Sequence, residues 1–364
     1  MQAILQIASS VYLPILAATL AGFLLSFVLS RRTPQSVRVP LQIRIPDILA
    51  RVLYLVGIPI GVANFIRKAE FNASVWLSPV VAWVAVLVAI VLSWLILRSS
   101  KRPKSTQTKS SYVLLSYLGN TSYLGFPVIL LLPQLGPQYF SSAVLYDILG
   151  TLLAGYGLGV FIARSAAIRS GSAKALSGAS LSEGYTSSQD VQGQQAEGSS
   201  VADVVAKPNS NLSLFFDSLT EIVKNPTFYA FFVGLFLKTV PLPDGVVSGL
   251  NTIAWGSIMV ALLVMGMRAQ QLRSSGDLTL AFQPVVIKTI LVPLIIGAGL
   301  TAFGFDGPQR LVLVLQASMP CAFASLVLAE NYDLDLKLTV ASIILACLVF
   351  AFMMPIWVMM FTTW

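Results

Sequence analysis

The chain contains no histidine. That absence removes imidazole metal ligands, histidine-based nucleophile pairs and histidine proton relays from its chemistry. Cysteine is nearly as scarce: Cys321 and Cys347 both stand in apolar runs, where each reads as a small buried hydrophobe rather than half of a disulfide. Charge is thin as well. Lys, Arg, Asp and Glu make up 10% of the 364 residues, against roughly a quarter in soluble domains, which excludes an ordinary water-facing surface. There is no Walker-type phosphate loop and, within the apolar stretches, no paired carboxylates or nucleophile-base set. ATP coupling is therefore unsupported, an enzyme is disfavoured, and no cofactor or metal is expected.

What the chain has instead is apolar length. Hydrophobic residues make up 56% and mean hydropathy is +0.81, which identifies an all-α polytopic membrane protein. About 20 apolar residues cross the roughly 30 Å of hydrocarbon, and ten such stretches are expected: 11–30, 48–66, 76–97, 111–133, 138–163, 225–240, 247–267, 281–303, 309–329 and 336–360. The first lacks a basic flank and a small-residue cleavage site, so it reads as a retained span rather than a signal peptide. With the N-terminus outside, eighteen of the 23 lysines and arginines fall in inner loops, among them Arg31, Arg51, Arg98, Lys109, Arg164 and Arg268. The expectation is a protein of the inner (plasma) membrane with both termini outside. Topology thereby accounts for the net charge of +8 without a nucleic-acid partner.

Residues 165–211 leave this pattern. SGSAKALSGASLSEGYTSSQDVQGQQAEGSS, within that stretch, is too rich in Ser, Gly and Gln to bury a core, and reads as a flexible cytoplasmic linker, either a plain tether or a regulatory tail. It separates 1–164 from 212–364, five spans each. Pro14 precedes Gly22 by eight residues, and Pro226 precedes Gly234 by the same interval, while Pro46-Asp47 and Pro243-Asp244 each stand before the next span. An odd number of spans per half forces opposite orientations, the arrangement of inverted-repeat transporters.

Two spans in corresponding places of the halves are interrupted. The fourth, SYLGNTSYLGFPVILLLP over 116–133, holds two glycines, Asn120, Thr121 and Pro127; the ninth, LVLVLQASMPCAFASLVLAENY over 311–332, holds Gln316, Ser318 and Pro320. Backbone freed by such breaks is tolerated only against protein or a water-filled cavity. The half-helix N-termini so created favour anions, and the Asn120 amide adds a donor and an acceptor. Asn120, Thr121, Gly125, Pro127, Gln316, Ser318 and Pro320 are the candidate substrate-binding residues, and a carboxylate is the expected ligand group. The competing reading makes both prolines kinks in packed helices and the glycines close contacts. Tyr117, Tyr123 and Phe126 fit either an aromatic ligand or ordinary packing.

GNTSYLGFPVIL in the fourth span, NP opening the sixth, ASMPCAFASLVLAENYDLD through the ninth and PIW in the tenth resemble the auxin efflux carrier family, which includes plant PIN transporters and bacterial carriers of malonate or malate. The resemblance, closer to the bacterial type in its short linker, implies ten transmembrane helices in two inverted five-helix repeats, with the broken fourth and ninth helices crossing at their prolines. It implies a homodimer held through the first, second, sixth and seventh helices, with the other six moving as an elevator. Asn120 falls on the family's crossover asparagine.

Two ionisable residues lie inside spans: Asp147, with Thr151 one turn on as its expected neighbour, and Lys288. Both are proton-coupling candidates; the alternatives are a structural aspartate and a snorkelling lysine. The leading function is a secondary carrier of organic anions, auxin-like monocarboxylates or malate- and malonate-type dicarboxylates, with proton or sodium coupling. An anion channel is the alternative. The topology makes one expected outcome explicit: a cysteine placed at Ser105 reacts with impermeant maleimide only from the cytoplasmic face, and labelling from outside would overturn the orientation.

Overall fold

The computed structural model describes residues 8–32, 41–99, 104–171, 225–272 and 277–362, and the secondary structure there is helical apart from one isolated bridge. Helix α1 is Leu13–Arg32. Leu41–Val52, the π turn Leu53–Gly57 and Ile58–Lys68 run on as α2 (41–68), followed by α3, Ala73–Ser99. The fourth expected span forms two pieces, α4 (Thr106–Tyr117) and α5 (Thr121–Leu131). Next come α6 (Pro137–Ser170), α7 (Pro226–Thr239), α8 (Asp244–Gln271) and α9 (Leu278–Ala302). The ninth expected span is also divided, into α10 (Gly307–Ser318) and α11 (Phe323–Asn331), before α12, Leu336–Thr362.

Seven of these helices, α1, α2, α3, α6, α8, α9 and α12, are long and apolar enough to cross a membrane. Their outer faces stay apolar: Leu16, Leu20 and Leu24 on α1 and Leu348 and Phe352 on α12 are exposed, as a hydrocarbon solvent requires. Helix starts follow local chemistry. Asn225 caps α7 by accepting the Thr227 N–H at 2.9 Å, with Pro226 at the first position, where a missing N–H is harmless. Helix α6 continues to Ser170 and stops at Gly171, whose φ of 70° suits a left-handed cap. The first residues assigned to the linker are thus helical, and 172–224 lie outside the described residues.

Lipid is as apolar as leucine, so helices in it are held by close contact and hydrogen bonds more than by burial itself. Small residues supply the contact. A Cβ added at Gly22 of α1 would stand 2.0 Å from the Leu263 carbonyl oxygen of α8, and one at Gly266 of α8 would stand 1.9 Å from the Thr19 carbonyl oxygen of α1. On α7, a Cβ at Gly234 would lie 2.7 Å from the Ala63 carbonyl oxygen of α2. Helices α2 and α8 are further tied by Asn64 Nδ2 donating to Asn251 Oδ1 at 3.0 Å.

A second packed group joins α3, α4, α6, α9, α11 and α12 around Tyr112, Leu115, Ala163, Val285 and Ile343. Trp83 Nε1 donates to the Leu149 carbonyl at 2.9 Å, binding α3 to α6. Asp335, just before α12, accepts from Thr108 Oγ1 at 2.8 Å and donates its N–H to Ser111 Oγ at 2.9 Å, which anchors the start of α4. Because Gly266 has backbone where a side chain would go, Gly266→Ala is expected to destabilise the protein by about 1–3 kcal/mol or more and lower its melting temperature in detergent. Gly249→Ala, which meets nothing within 4 Å, is expected to leave the melting temperature in place.

Candidate functional site

The two breaks meet and satisfy one another. Asn120 N–H donates to the Pro320 carbonyl at 2.8 Å, and Ala322 N–H donates to the Leu118 carbonyl at 3.0 Å, forming an antiparallel bridge centred on Gly119 and Cys321. The carbonyl ends of the first half-helices find side chains. Cys321 Sγ donates to the Leu115 carbonyl of α4 at 3.2 Å, and Lys288 Nζ donates to the Ala317 carbonyl of α10 at 3.0 Å. A Cβ on Gly119 would lie 2.9 Å from Nζ and Cε of Lys288, so glycine makes room for the ammonium.

This geometry changes three expectations. The first break falls at Leu118–Asn120 and not at Pro127, which sits inside α5 behind the π turn Thr121–Gly125; the partner break does contain its proline, Pro320. Lys288, in the π turn Ile287–Leu291, is only 3% exposed and points to the break, so it does not snorkel. Asp147, at the start of the π turn Asp147–Leu152, is 3% exposed. Its hydrogen-bond partners are Thr121 and Ser122, not Thr151. Thr121 Oγ1 donates to one carboxylate oxygen and Ser122 Oγ to the other, the latter at 2.6 Å. Both hydroxyls belong to the turn just after the break.

A cavity of about 60 Å³ opens at this point, enough for several water molecules. Its wall takes Asn120, Thr121, Ser122 and Tyr123 from one break, Ala322, Phe323 and Ala324 from the other, and Asp147 and Thr151 from α6. The first turns of α5 and α11 therefore both border it, and N–H groups there have no partner within their own helix. Asn120 is 6% exposed, and among the described residues its carboxamide makes one hydrogen bond, from Nδ2 to the Met265 thioether at 3.6 Å. Thioether sulfur is a weak acceptor.

Three of the nine residues singled out from sequence, Asn120, Thr121 and Asp147, line this cavity. Pro320 contributes its carbonyl to the bridge, and Lys288 caps α10. Gln316 is fully buried against Gly125, where a Cβ would stand 2.5 Å from its Oε1, and its Nε2 donates to the Ala143 carbonyl at 3.5 Å. Ser318 bonds back to the Leu315 carbonyl at 2.8 Å. Pro127 lines a neighbouring apolar cavity of about 40 Å³, together with Phe65, Phe126, Phe140 and Ile258; Ser122 and Tyr123 are common to both walls.

Met265 and Arg268 of α8 complete the polar wall and were not singled out from sequence. Their spacing of three places them on one helix face, the available signal, but Arg268 carried a sufficient explanation as a topological charge. A family model described as "Membrane transport protein" matches residues 48–358, a range that includes every residue of both cavities. A search of curated proteins finds no match. The hydroxyl pair makes a clear expectation: Thr121→Val, losing a hydrogen bond to a carboxylate, destabilises by about 1.5–3 kcal/mol. Thr151→Val stays within about 0.5 kcal/mol. Thermal unfolding of the two purified variants checks the difference.

Proposed function

The chain belongs to the membrane transport protein family that includes the auxin efflux carriers, and from that premise we propose that it is a secondary carrier of organic anions whose carboxylate binds at Asn120. The observation that carries this reading is convergence. Two helix breaks, two helix N-termini and one weakly engaged carboxamide meet on a single cavity, and each feature favours an anion without a full positive charge. The adjoining apolar cavity favours auxin-like monocarboxylates over malate- or malonate-type dicarboxylates, because it offers the body of such a ligand Phe65, Phe126 and Phe140.

The architecture in this proposal is ten spans in two inverted five-span repeats, 1–164 and 212–364, joined by a cytoplasmic linker. Repeat-equivalent glycines support it: Gly22 lets the first span touch the seventh, and Gly234 lets the sixth touch the second. We assign α1, α2, α7 and α8 to a scaffold that also forms a homodimer, and the remaining helices to an elevator. The polar cavity lies between the breaks and the Met265 face of α8, so it would be opened and closed by sliding along that helix. Both termini face outside across the plasma membrane. Asp147, hydrogen-bonded to the turn beside Asn120, is the residue we assign to proton coupling, with sodium as the other coupling ion to be tested; Lys288 holds the break in shape.

Asn120→Ala tests the proposal. Loss of a hydrogen bond to a charged group is worth about 1.5–3 kcal/mol, so the dissociation constant for indole-3-acetate should rise by roughly tenfold to more than a hundredfold. The melting temperature should stay near that of the wild type, because the side chain gives up only a thioether contact. Wild-type affinity together with a lowered melting temperature would make the crossover architecture alone.

A further inference from the structure

An anion entering this cavity meets a difficulty: Asp147 already brings a carboxylate to the same wall. Two like charges in a space with little water repel strongly. The cavity holds one answer, since Arg268 also lines it. Among the described residues, the polar contact of the Arg268 guanidinium is with Asp47 of α2, Nη2 to Oδ1 at 3.8 Å, both side chains being partly exposed. A charge-assisted arginine-carboxylate hydrogen bond closes to about 2.7–2.9 Å and is frequently bidentate. Arg268 is therefore held near Asp47 by charge while its forked donors remain uncommitted.

We infer that Arg268 is the counter-ion of the transported carboxylate, and that Asp47 is a resident anion which the substrate displaces from it and which reclaims it on release. The inference rests on the organic-anion reading and deepens it by naming an exchange of partners on one guanidinium. Asp47 and Arg268 sit on α2 and α8, which are tied to each other through Asn64 and Asn251. Asn120 and Asp147 come from the break and from α6. The substrate would thus bridge the two groups of helices, its carboxylate shared between Asn120 on one side and Arg268 on the other. Release follows when relative movement lengthens one of those contacts and Asp47 takes back the guanidinium.

Binding of radiolabelled indole-3-acetate and of malonate to purified protein, with melting temperatures on the same preparations, tests this. Arg268→Gln is expected to weaken binding of whichever probe the wild type binds by tenfold or more, and Arg268→Lys to recover part of the loss, since an ammonium keeps the charge but not the fork. Asp47→Asn is expected to tighten binding severalfold by removing the competitor. In the Arg268→Gln background the same Asp47→Asn change should leave affinity unchanged, whereas a purely structural ion pair couples the two residues in melting temperature and gives no tightening of binding from Asp47→Asn alone. Unchanged affinity in Arg268→Gln, or weaker binding in Asp47→Asn at an unchanged melting temperature, overturns the inference while leaving the carrier reading in place. Failure of the wild type to bind either probe overturns that reading and this inference with it.

Discussion

Every peptide group in hydrocarbon must find a partner, because an unpaired one costs several kcal/mol there and water cannot repair it. The two helix breaks are the places where this protein meets that constraint by an unusual route. Each break frees backbone groups that its own helix cannot use, and each is repaired by the other through the Asn120–Pro320 and Ala322–Leu118 bonds. Cys321 and Lys288 then reach the carbonyls left at the ends of α4 and α10. The polar cavity exists because this repair ends there, leaving the first turns of α5 and α11 with donors facing open space.

Close packing sets the frame around that centre. Where Gly22 and Gly266 let α1 and α8 touch, and Gly234 lets α7 touch α2, the contact is backbone against side chain or backbone, with little give. The helices carrying the breaks are joined to α8 differently, through the Asn120–Met265 contact and the apolar wall of Tyr123 and Phe126. A thioether and aromatic rings are adaptable surfaces. Rigid contact on one side of the cavity and soft contact on the other is the distribution of stiffness that the proposed elevator movement would need.

Much of the fold was legible because hydropathy and helix breakers are local signals. Asn225-Pro226 marked a helix start, and the interruptions near Asn120 and Pro320 marked the divided helices. Proline was a better guide at one break than at the other: Pro320 lies in its break, whereas Pro127 sits within α5, in the first turn of the α-helical piece Phe126–Leu131 that follows the π turn, where proline is well tolerated. Side-chain direction was not legible. Lys288 stands near a span end and so looked free to snorkel, but the pull of an unsatisfied carbonyl at Ala317 turns it inward. Asp147 has a threonine one turn away, yet its donors come from a turn 25 and 26 residues earlier. Met265 and Arg268 are brought to the site by the packing of α8; their spacing puts them on one helix face but does not say which neighbour that face meets.

The reciprocal repair of the breaks also has a consequence in time. The Cys321–Leu115 contact spans 206 residues, and at the usual pace of 5–20 residues per second that separation is roughly 10–40 s of synthesis. During that interval the first broken helix is already made, while the backbone that will pair with it is still unread message. The N-terminal half must wait with Leu118 and Asn120 turned toward water, an interfacial lipid or an assisting protein, and its deepest polar groups become membrane-compatible only when the second half arrives. A chain of this kind cannot be inserted span by span as finished pieces; its centre closes only after the second break has been made.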